Sequence, residues 1–434
     1  MILGVGLDDV AVLPHRADPA PDSAEPTTNL NRGLVWEVSS SFGGNMGQLH
    51  ISPEFDTLSQ RTDELAPILR AEAEESEQLR RPTETLANAL KSSGVLRIGI
   101  PRELGGYEFS PSQIVRTIET LSYHDASAGW TVMALQLVTG VTAAYLGAEA
   151  AADLFPDTAA GRHALVAGQG TRPGKATRVD GGYRIDGHWS FASGISMASH
   201  IHTAAYCAET GEALVCTFPK EQARLVDNWD VMGLRATHSI DYVCEDLFVP
   251  ATHVFDAPTK DNHHGGAVYR LGLVLLAAAV HTGWALGVGR RMLDELKALA
   301  GQKTGTHNAT VDTGHFHAAY AHAEAELRAA RAWALELWAE NEATLDRGEH
   351  LTTEQESLTL LMLNNTTRSA HAVGQAAYQW AGTTALRRGD LQRYFRDLHA
   401  GTQHVTSGPV VLQHCGRSLA GLAPGRRWVF LDLV

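Results

Sequence analysis

Cysteine is scarce in this sequence, and the short motifs that identify several common enzyme classes are missing. Only four cysteines occur among the 434 residues, and no two of them have the CxxC spacing, which argues against a disulfide framework and against a zinc knuckle. The GxGxxG motif of doubly wound nicotinamide enzymes is absent, as are a P-loop, GxSxG and HExxH. We therefore expect no Rossmann domain, ATP hydrolysis, serine hydrolysis or zinc proteolysis.

Basic residues are too few for a nucleic-acid-binding protein. The chain has 35 Lys and Arg against 49 Asp and Glu, which gives a formal net charge of −14 at pH 7. A protein that binds the phosphate backbone needs a basic face, so we expect no nucleic-acid partner. The first ten residues lack the basic segment of a secretory signal, and the scarcity of cysteine fits a reducing compartment. We predict a cytoplasmic protein.

One apolar run resembles a membrane span. Residues 271–289 carry no charge, and their number approaches the roughly 20 residues of a transmembrane helix. A helix that is apolar on all sides is also what the middle of a large helical bundle requires. Since His281 and the neighbouring glycines fit such a close-packed core better, we expect no membrane interaction.

Histidine is frequent, with 21 in the chain, but its spacing does not favour a metal site. On a helix, His315 and His317 would point about 200° apart. His315 and His322 would share a face but lie about 10 Å apart along the axis. The adjacent His263 and His264 are the other candidates. We expect surface or packing histidines and no bound metal.

The hydrophobic pattern divides the chain into four parts. Residues 1–52 show no sustained period and predict a poorly structured extension. Residues 53–160 predict a helical N-terminal domain, residues 161–260 a middle β domain, and residues 261–434 a C-terminal four-helix-bundle domain. The chain is therefore predicted to be mainly α, with a central β-barrel or β-sandwich domain.

Local signals place individual elements. Ser110, Pro111 and Gln113 form the signature of a capping box and predict that a helix begins there. Residues 177–186 contain two alternating stretches around a two-glycine turn, which predicts a β-hairpin. The 3.6-residue period predicts long helices in the C-terminal part, over residues 315–341, 353–379 and 406–419.

Three further stretches carry side chains suited to chemistry. Residues 187–194 read GHWSFASG and follow the hairpin directly, which places an indole and two hydroxyls beside a tight turn at one strand end. Residues 229–239 read WDVMGLRATHS, and residues 394–404 read YFRDLHAGTQH. Taken alone, the first stretch is explained at least as well by a buried aromatic corner.

Together, in this order and between two helical blocks, the three stretches resemble the acyl-CoA dehydrogenase superfamily. They are most similar to its branch of two-component flavin monooxygenases, the relatives of the 4-hydroxyphenylacetate and hydroxysteroid hydroxylase oxygenases. The resemblance covers about residues 57–420, and residues 1–52 have no counterpart in it. It implies an acyl-CoA dehydrogenase-like fold and assembly as a homotetramer or dimer.

The superfamily contains dehydrogenases and oxygenases, and the presence of a carboxylate base distinguishes the dehydrogenases. A dehydrogenase must remove the α-proton of a thioester, so it needs a carboxylate base in the C-terminal loop or on the long helix after the β domain. No Asp or Glu occurs between Asp397 and Asp432 or between Asp261 and Asp294, and the loop holds His404 instead. We therefore favour oxygenation.

The resemblance implies reduced flavin, FMNH2 or FADH2, as cofactor and O2 as co-substrate, with a flavin C4a-hydroperoxide that survives where water is excluded. Because no Rossmann motif is present, a separate NAD(P)H-dependent flavin reductase is the expected partner. The expected reaction is hydroxylation of an aromatic or polyketide-like small molecule in secondary metabolism or catabolism. N-oxygenation of an amine or amino sugar, an acyl-CoA dehydrogenase with a non-standard base, and an inactive scaffold stay open as alternatives.

The resemblance also implies roles for catalytic residues. It places Ser193 at the flavin N5, Trp189 against the flavin ring, and His404 beside the isoalloxazine as an orienting group or as proton donor and acceptor. His124 is the candidate base for a phenolic substrate, although a capping histidine at a helix end explains it equally well.

Three more residues are candidates for binding. Trp130 is a candidate pocket residue, with ordinary core packing as the equal alternative. Arg235 and Arg396 are candidate contacts of the flavin phosphate, and an ion pair with Asp397 is the simpler alternative for Arg396.

Overall fold

The computed structural model describes residues 53–157 and 162–434. The prediction of a poorly structured extension over residues 1–52 lies outside these described residues. The described residues are mostly helical, with one large β-sheet between two groups of helices along the chain. The predicted order of helical, β and helical parts is confirmed, and the domain boundaries at residues 160 and 260 stay predictions.

The first group of helices begins where the sequence signals place it. The capping box is present, because the backbone N–H of Ser110 donates to Gln113 Oε1 at 3.0 Å. Asp125 caps the next helix by accepting a hydrogen bond from the N–H of Ala128 at 2.6 Å. The helices are α1 Pro53–Glu64, α2 Ala66–Leu79, α3 Glu84–Ser93, α4 Pro111–His124, α5 Ala126–Tyr145 and α6 Ala148–Leu154.

The middle part is one seven-stranded mixed sheet with the order β5-β6-β2-β1-β3-β4-β7. The predicted hairpin is confirmed, since Val179 of one strand pairs with Gly182 of the next. A parallel pairing joins β1 to β3, and the other pairs in the sheet are antiparallel. The strands are β1 Val166–Val179, β2 Gly182–Trp189, β3 His200–Cys207, β4 Ala213–Pro219, β5 Arg224–Val226, β6 Asp241–Pro250 and β7 Val254–Asp256.

The second group consists of three long helices and two short ones. One of the short helices, α10 Asp390–Gly401, is not predicted from the sequence, which indicates only a motif and a loop there. The last helix begins at Pro409 and not at residue 406, because Gly408 and Pro409 form a cap and first turn of their own. The helices are α7 Gly272–Lys303, α8 Gly314–Asp346, α9 Thr353–Ala381, α10 Asp390–Gly401 and α11 Pro409–Leu419, followed by the short hairpin β8 Trp428–Val429 and β9 Asp432–Leu433.

Helix α7 is the apolar run that resembles a membrane span. It is long and apolar enough to cross a membrane by length and composition, but 89% of its most apolar window is buried inside the protein. Glycines one turn apart bring it close to α4, because a Cβ at Gly283 would lie 2.5 Å from the carbonyl oxygen of Val115 and one at Gly287 2.2 Å from that of Glu119. The run is therefore a close-packed core helix, as its composition predicts.

Candidate active site

Four aromatic side chains from three parts of the chain meet in one buried cluster. Trp130 of α5 lies edge-on to the rings of His281 and Trp284, both on α7, at centroid distances of 5.2 Å and 4.9 Å. His404, which follows α10, lies 5.8 Å from Trp130 and 4.0 Å from His281. We call Trp130, His281, Trp284 and His404 the aromatic cluster. It brings together two predicted site residues and two that the sequence analysis did not select.

A chain of hydroxyl groups connects the aromatic cluster to the β domain. The indole Nε1–H of Trp130 donates to Ser193 Oγ at 3.1 Å. Ser193 Oγ lies 2.8 Å from Ser239 Oγ, which lies 2.6 Å from Thr237 Oγ1, and the Thr237 hydroxyl donates to the carbonyl of Leu234 at 2.8 Å. Because each hydroxyl has one hydrogen, the donors run in one direction, from Trp130 to Leu234. Ser193 Oγ thus keeps a lone pair that can accept a hydrogen bond from a ligand N–H.

The backbone around this hydroxyl chain is held in unusual conformations. Phe191, Leu234 and His238 have φ values of 69°, 56° and 48°, in the left-handed region that side chains with a Cβ rarely adopt. Phe191 is 63% exposed and lies edge-on to Trp229 at 6.1 Å. An exposed phenyl ring and a partly buried indole beside a buried hydroxyl suit a flat ring with a polar edge, so these residues fit a flavin.

Both imidazoles of the aromatic cluster are neutral at pH 7. Burial lowers the pKa of His404 to about 4, and burial and the neighbouring His404 hold the pKa of His281 well below its ordinary value. Both pKa values lie below the near-neutral range in which a free imidazole titrates. The Nδ1 of His404 lies 2.8 Å from the hydroxyl oxygen of Thr406 and 3.4 Å from the backbone nitrogen of Thr406, whose N–H donates to it. When the Thr406 hydroxyl also donates to Nδ1, the neutral ring carries its proton on Nε2.

His124 has different neighbours from the aromatic cluster. Its Nδ1 lies 3.4 Å from a guanidinium nitrogen of Arg70, and its ring is edge-on to Tyr123 at 5.0 Å. Burial, followed by the positive charges of Arg70 and Arg291, lowers its pKa to about 4. The structure does not bring His124 into contact with Ser193 or His404 within the described residues. Its role as a base stays a prediction.

Trp189 is a core residue of the sheet. Its indole is fully buried, stacks on Tyr242 at 5.4 Å and donates from Nε1 to the carbonyl of Ala204 at 3.0 Å. The buried aromatic corner that explains the motif on its own is therefore present. Contact between Trp189 and a flavin ring stays a prediction.

Arg235 and Arg396 both bind the loop that carries the hydroxyl chain. Arg235 Nη1 donates to the carbonyl of Val231 at 2.9 Å, and Arg396 Nη1 donates to that of Met232 at 2.8 Å. Arg396 also forms an ion pair with Glu77 at 2.5 Å, in place of the ion pair with Asp397 that the sequence suggested. Contact of either arginine with a flavin phosphate stays a prediction.

Two buried carboxylates are close in sequence to residues of the aromatic cluster, but they bind backbone amides. Asp125 caps α5, and Asp397 accepts a hydrogen bond from the N–H of Leu234 at 2.6 Å. Among the described residues, no carboxylate is in hydrogen-bond or ion-pair contact with the aromatic cluster or with Ser193. The site therefore holds imidazoles and hydroxyls where a dehydrogenase needs a carboxylate base.

Asp397 gives the fold a measurable pH dependence. Burial, with smaller contributions from Asp125 and Glu77, raises its pKa to about 7, above the value of about 3.9 in an unfolded chain. Between about pH 4 and 7, the folded state therefore keeps a proton that the unfolded state has lost. This proton binding stabilises the folded state, and the stabilisation disappears as the pH rises through 7. Asp397→Asn keeps an acceptor for Leu234 and cannot ionise. We expect the melting temperature of D397N, relative to the unchanged protein, to rise by a few degrees between pH 5 and pH 8.

Asp312→Asn is the matched control for this measurement. Asp312 also accepts a backbone hydrogen bond, from Gly305 at 2.8 Å, but it is exposed and its pKa is lowered by this bond and by one from Thr304. Asp312 is ionised in the folded and the unfolded state above pH 5. The difference in melting temperature between D312N and the unchanged protein should therefore not change with pH. If the difference in melting temperature between D397N and the unchanged protein is also independent of pH, Asp397 is charged over the whole range from pH 5 to pH 8.

Four residues of the site are not predicted from the sequence: His281, Trp284, Thr237 and Ser239. The sequence predicts core packing for His281, although a lone imidazole in an uncharged helix is a usable signal. Ser239 and Thr237 lie within the stretch 229–239 that was already selected. Only the folded structure shows that their hydroxyls reach Ser193.

Comparison with known proteins agrees with this geometry. Residues 61–162 match the family model for the acyl-CoA dehydrogenase N-terminal domain, and residues 279–408 match that for the C-terminal domain. The chain is 30% identical to an indole-3-acetate monooxygenase of Pseudomonas putida, over 82% of this chain and 91% of that protein. It is 28% identical to the flavin-dependent monooxygenase oxygenase subunit HsaA of Rhodococcus jostii, over 81% of this chain and 94% of that protein.

A solved structure shows the same fold. The crystal structure of 3-HSA hydroxylase from Rhodococcus sp. RHA1 superposes with a TM-score of 0.78 at 25% identity, covering 84% of this chain and 97% of that one. The resemblance stated from the sequence motifs is thus confirmed. The chain belongs to the acyl-CoA dehydrogenase superfamily and, within it, to the branch of flavin-dependent monooxygenases.

Proposed function

We propose that this chain is the oxygenase component of a two-component flavin monooxygenase that hydroxylates an aromatic or polyketide-like small molecule. The observation that carries this proposal is the composition of the site. Two tryptophans, two neutral imidazoles and a hydroxyl chain converge, and no carboxylate contacts them among the described residues. Such a site can hold a flat, uncharged ring and cannot remove the α-proton of a thioester.

Some residues of the site position the flavin and the substrate, and others exclude water. Reduced flavin, when bound, would supply the two electrons that activate O2, and one oxygen atom of the O2 would be transferred to the substrate. Ser193, held by Trp130 and Ser239, would offer a lone pair to a flavin N–H, and the strained loop at Phe191 would help to position the ring edge. His404 presents an Nε2–H donor to the substrate. The buried indoles of Trp130 and Trp284 keep water away from the reacting atoms.

The partners of the chain follow from what it lacks. Without a Rossmann motif it needs reduced FMN or FADH2 from a separate NAD(P)H-dependent reductase, and its relative from Rhodococcus jostii is named an oxygenase subunit. The chain is expected to work in the cytoplasm, in secondary metabolism or catabolism. A homotetramer or dimer is the expected assembly, and the exposed apolar side chains of Val410, Leu412 and Leu419 on α11, between 38% and 54% exposed, support a contact between copies. Light scattering on the purified chain tests the assembly.

The alternatives fit the site less well. A dehydrogenase with a non-standard base would have to use an imidazole with a pKa of about 4, which is too weak a base for a thioester α-proton. N-oxygenation of an amine usually involves a cationic substrate, and no carboxylate contacts the site among the residues described to balance that charge. An inactive scaffold would not need the strained loop at Phe191.

The deciding experiment combines the chain with a flavin reductase, NADH, FMN and isotopically labelled O2, and offers phenols and indoles as substrates. Mass spectrometry should show one labelled oxygen atom in the product, only when both proteins are present. A yellow protein as isolated that oxidises acyl-CoA thioesters, with no labelled product from any aromatic compound, would support the dehydrogenase instead.

A further inference from the structure

Gln136 is a buried amide with one unpaired donor group. Its side chain is 2% exposed, and its Oε1 accepts a hydrogen bond from the backbone N–H of Gly99 at 2.9 Å. Because a backbone N–H can only donate, the amide has a single orientation and its Nε2 faces away from Gly99. Within residues 53–157 and 162–434, this Nε2 has no hydrogen-bond partner and is sealed from solvent. Since a buried donor without an acceptor is costly, Nε2 points to a ligand or to ordered water.

Gln136 lines a cavity between α5, α7 and the loop before α4. Its other polar side chain is Tyr269, whose hydroxyl already donates to the carbonyl of Gly99 at 2.9 Å. No charged side chain lines the cavity among the residues that the structure describes. An uncharged group with an apolar body and one acceptor oxygen therefore fits it. The apolar wall includes Phe109, Leu137, Leu276 and Val280.

A strip of accessible surface leads from the aromatic cluster towards this cavity. Of the 20 residues of α5, only Ala134 and Leu137 are not buried. Both lie on the helix face that carries Trp130, four and seven residues further along, and seven residues advance a helix by about 10 Å. Leu137 lines the cavity, as does Val280 of α7, which directly precedes His281. A molecule that reaches from the aromatic cluster into the cavity is therefore elongated.

We propose that Gln136 is a specificity-determining residue that binds a neutral oxygen, such as that of a ketone, at the far end of an elongated aromatic substrate. This inference rests on the proposed function and names the substrate class of the same site. The ring to be hydroxylated lies at the aromatic cluster, the apolar middle of the substrate follows α5, and the distal oxygen accepts a hydrogen bond from Gln136 Nε2. A distal carboxylate does not fit, because no cationic side chain lines the cavity within the described part of the chain.

The test measures ligand binding to the full-length chain without flavin, by calorimetry. The two long probes are 4-(4-hydroxyphenyl)cyclohexanone and 4-cyclohexylphenol, which differ in one ketone oxygen at the end far from the phenol ring. Gln136→Met keeps the length of the side chain and removes the donor, and the lost acceptor for Gly99 affects both probes alike. We expect it to weaken the binding of the ketone about 3- to 10-fold and that of 4-cyclohexylphenol less than about 2-fold. Gln60→Met, on the exposed surface of α1, is the matched control and should change neither affinity.

Leu137→Phe tests the cavity without changing the amide. Its larger side chain fills the accessible space at Leu137, so both long probes should bind about 5-fold more weakly or worse. The short probe 4-methylphenol does not reach the cavity and should bind as it does to the unchanged chain.

Three results with Q136M and the unchanged chain would overturn the proposal and leave ordered water as the partner of Gln136: equal weakening of both long probes, no weakening of the ketone, or no binding of the ketone to the unchanged chain. Unchanged binding of the long probes to L137F would also overturn it, and this holds even where Q136M does not fold. The oxygenation assay decides separately on the proposed function. If the ketone binds through Gln136 but is never hydroxylated, the function fails and the binding role stands.

Discussion

Ser193→Ala should lower the yield of hydroxylated product per reduced flavin consumed by roughly 100-fold, the order of effect seen when a positioned donor or acceptor is removed from an active site. The Ser193 hydroxyl is the link between Trp130 Nε1 and Ser239 Oγ, at 3.1 Å and 2.8 Å. Without it, the indole N–H loses its acceptor and the flavin edge loses its partner. The reduced flavin should then be oxidised by O2 to give oxidised flavin and hydrogen peroxide in place of hydroxylated product.

The measurement compares product, by chromatography, with peroxide, by a peroxidase assay. Ser239→Ala removes the next hydroxyl along the chain and should cause a smaller loss, because Ser193 keeps Trp130. Ser199→Ala is the control, since the Ser199 hydroxyl contacts the carbonyl of Leu165 at 3.4 Å and the ring of His200 at 3.0 Å, away from the cluster. An unchanged ratio of product to peroxide in S193A would remove Ser193 from the flavin site.

Local signals in the sequence predicted much of the fold. The capping box at Ser110 and the glycine turn after Val179 act through neighbours in the chain, so a single sequence shows them. The sequence does not predict helix α10, because its twelve residues DLQRYFRDLHAG are dense in charge and overlap a motif. Its charges are used in packing, since Arg393 binds Asp390 within the helix and Arg396 binds Glu77 of α2.

The sequence likewise predicts some residues of the candidate site and not others. Ser193 was found because it follows the hairpin directly, and His404 because it lies in a motif. The sequence does not single out His281, because its role depends on contact with His404, which lies in the loop after α10, far along the chain. Periodicity shows that a residue of α7 is buried. It does not show which side chain from another element meets it.

Gly233→Ala is expected to have the largest effect on the fold near the site. A Cβ at this position would lie 2.1 Å from the carbonyl oxygen of Arg396 and 2.4 Å from its carbonyl carbon. Both atoms are backbone of α10 and cannot rotate away, so the loop must move off the helix. That movement breaks the hydrogen bond from Leu234 N–H to Asp397, now 2.6 Å, and leaves a buried carboxyl without its partner. We expect a loss of about 2 to 5 kcal/mol in the free energy of unfolding.

The same movement should weaken flavin binding, because Leu234 also anchors the hydroxyl chain through its carbonyl, which accepts from Thr237 and from Trp229 Nε1 at 3.1 Å. Denaturant unfolding and anaerobic titration with reduced FMN measure the two effects. Gly301→Ala is the matched control, because a Cβ there meets nothing within 4 Å and alanine favours a helix. If G233A unfolds like G301A and binds flavin normally, the loop does not rest on α10, and Asp397 cannot position the hydroxyls that reach Ser193.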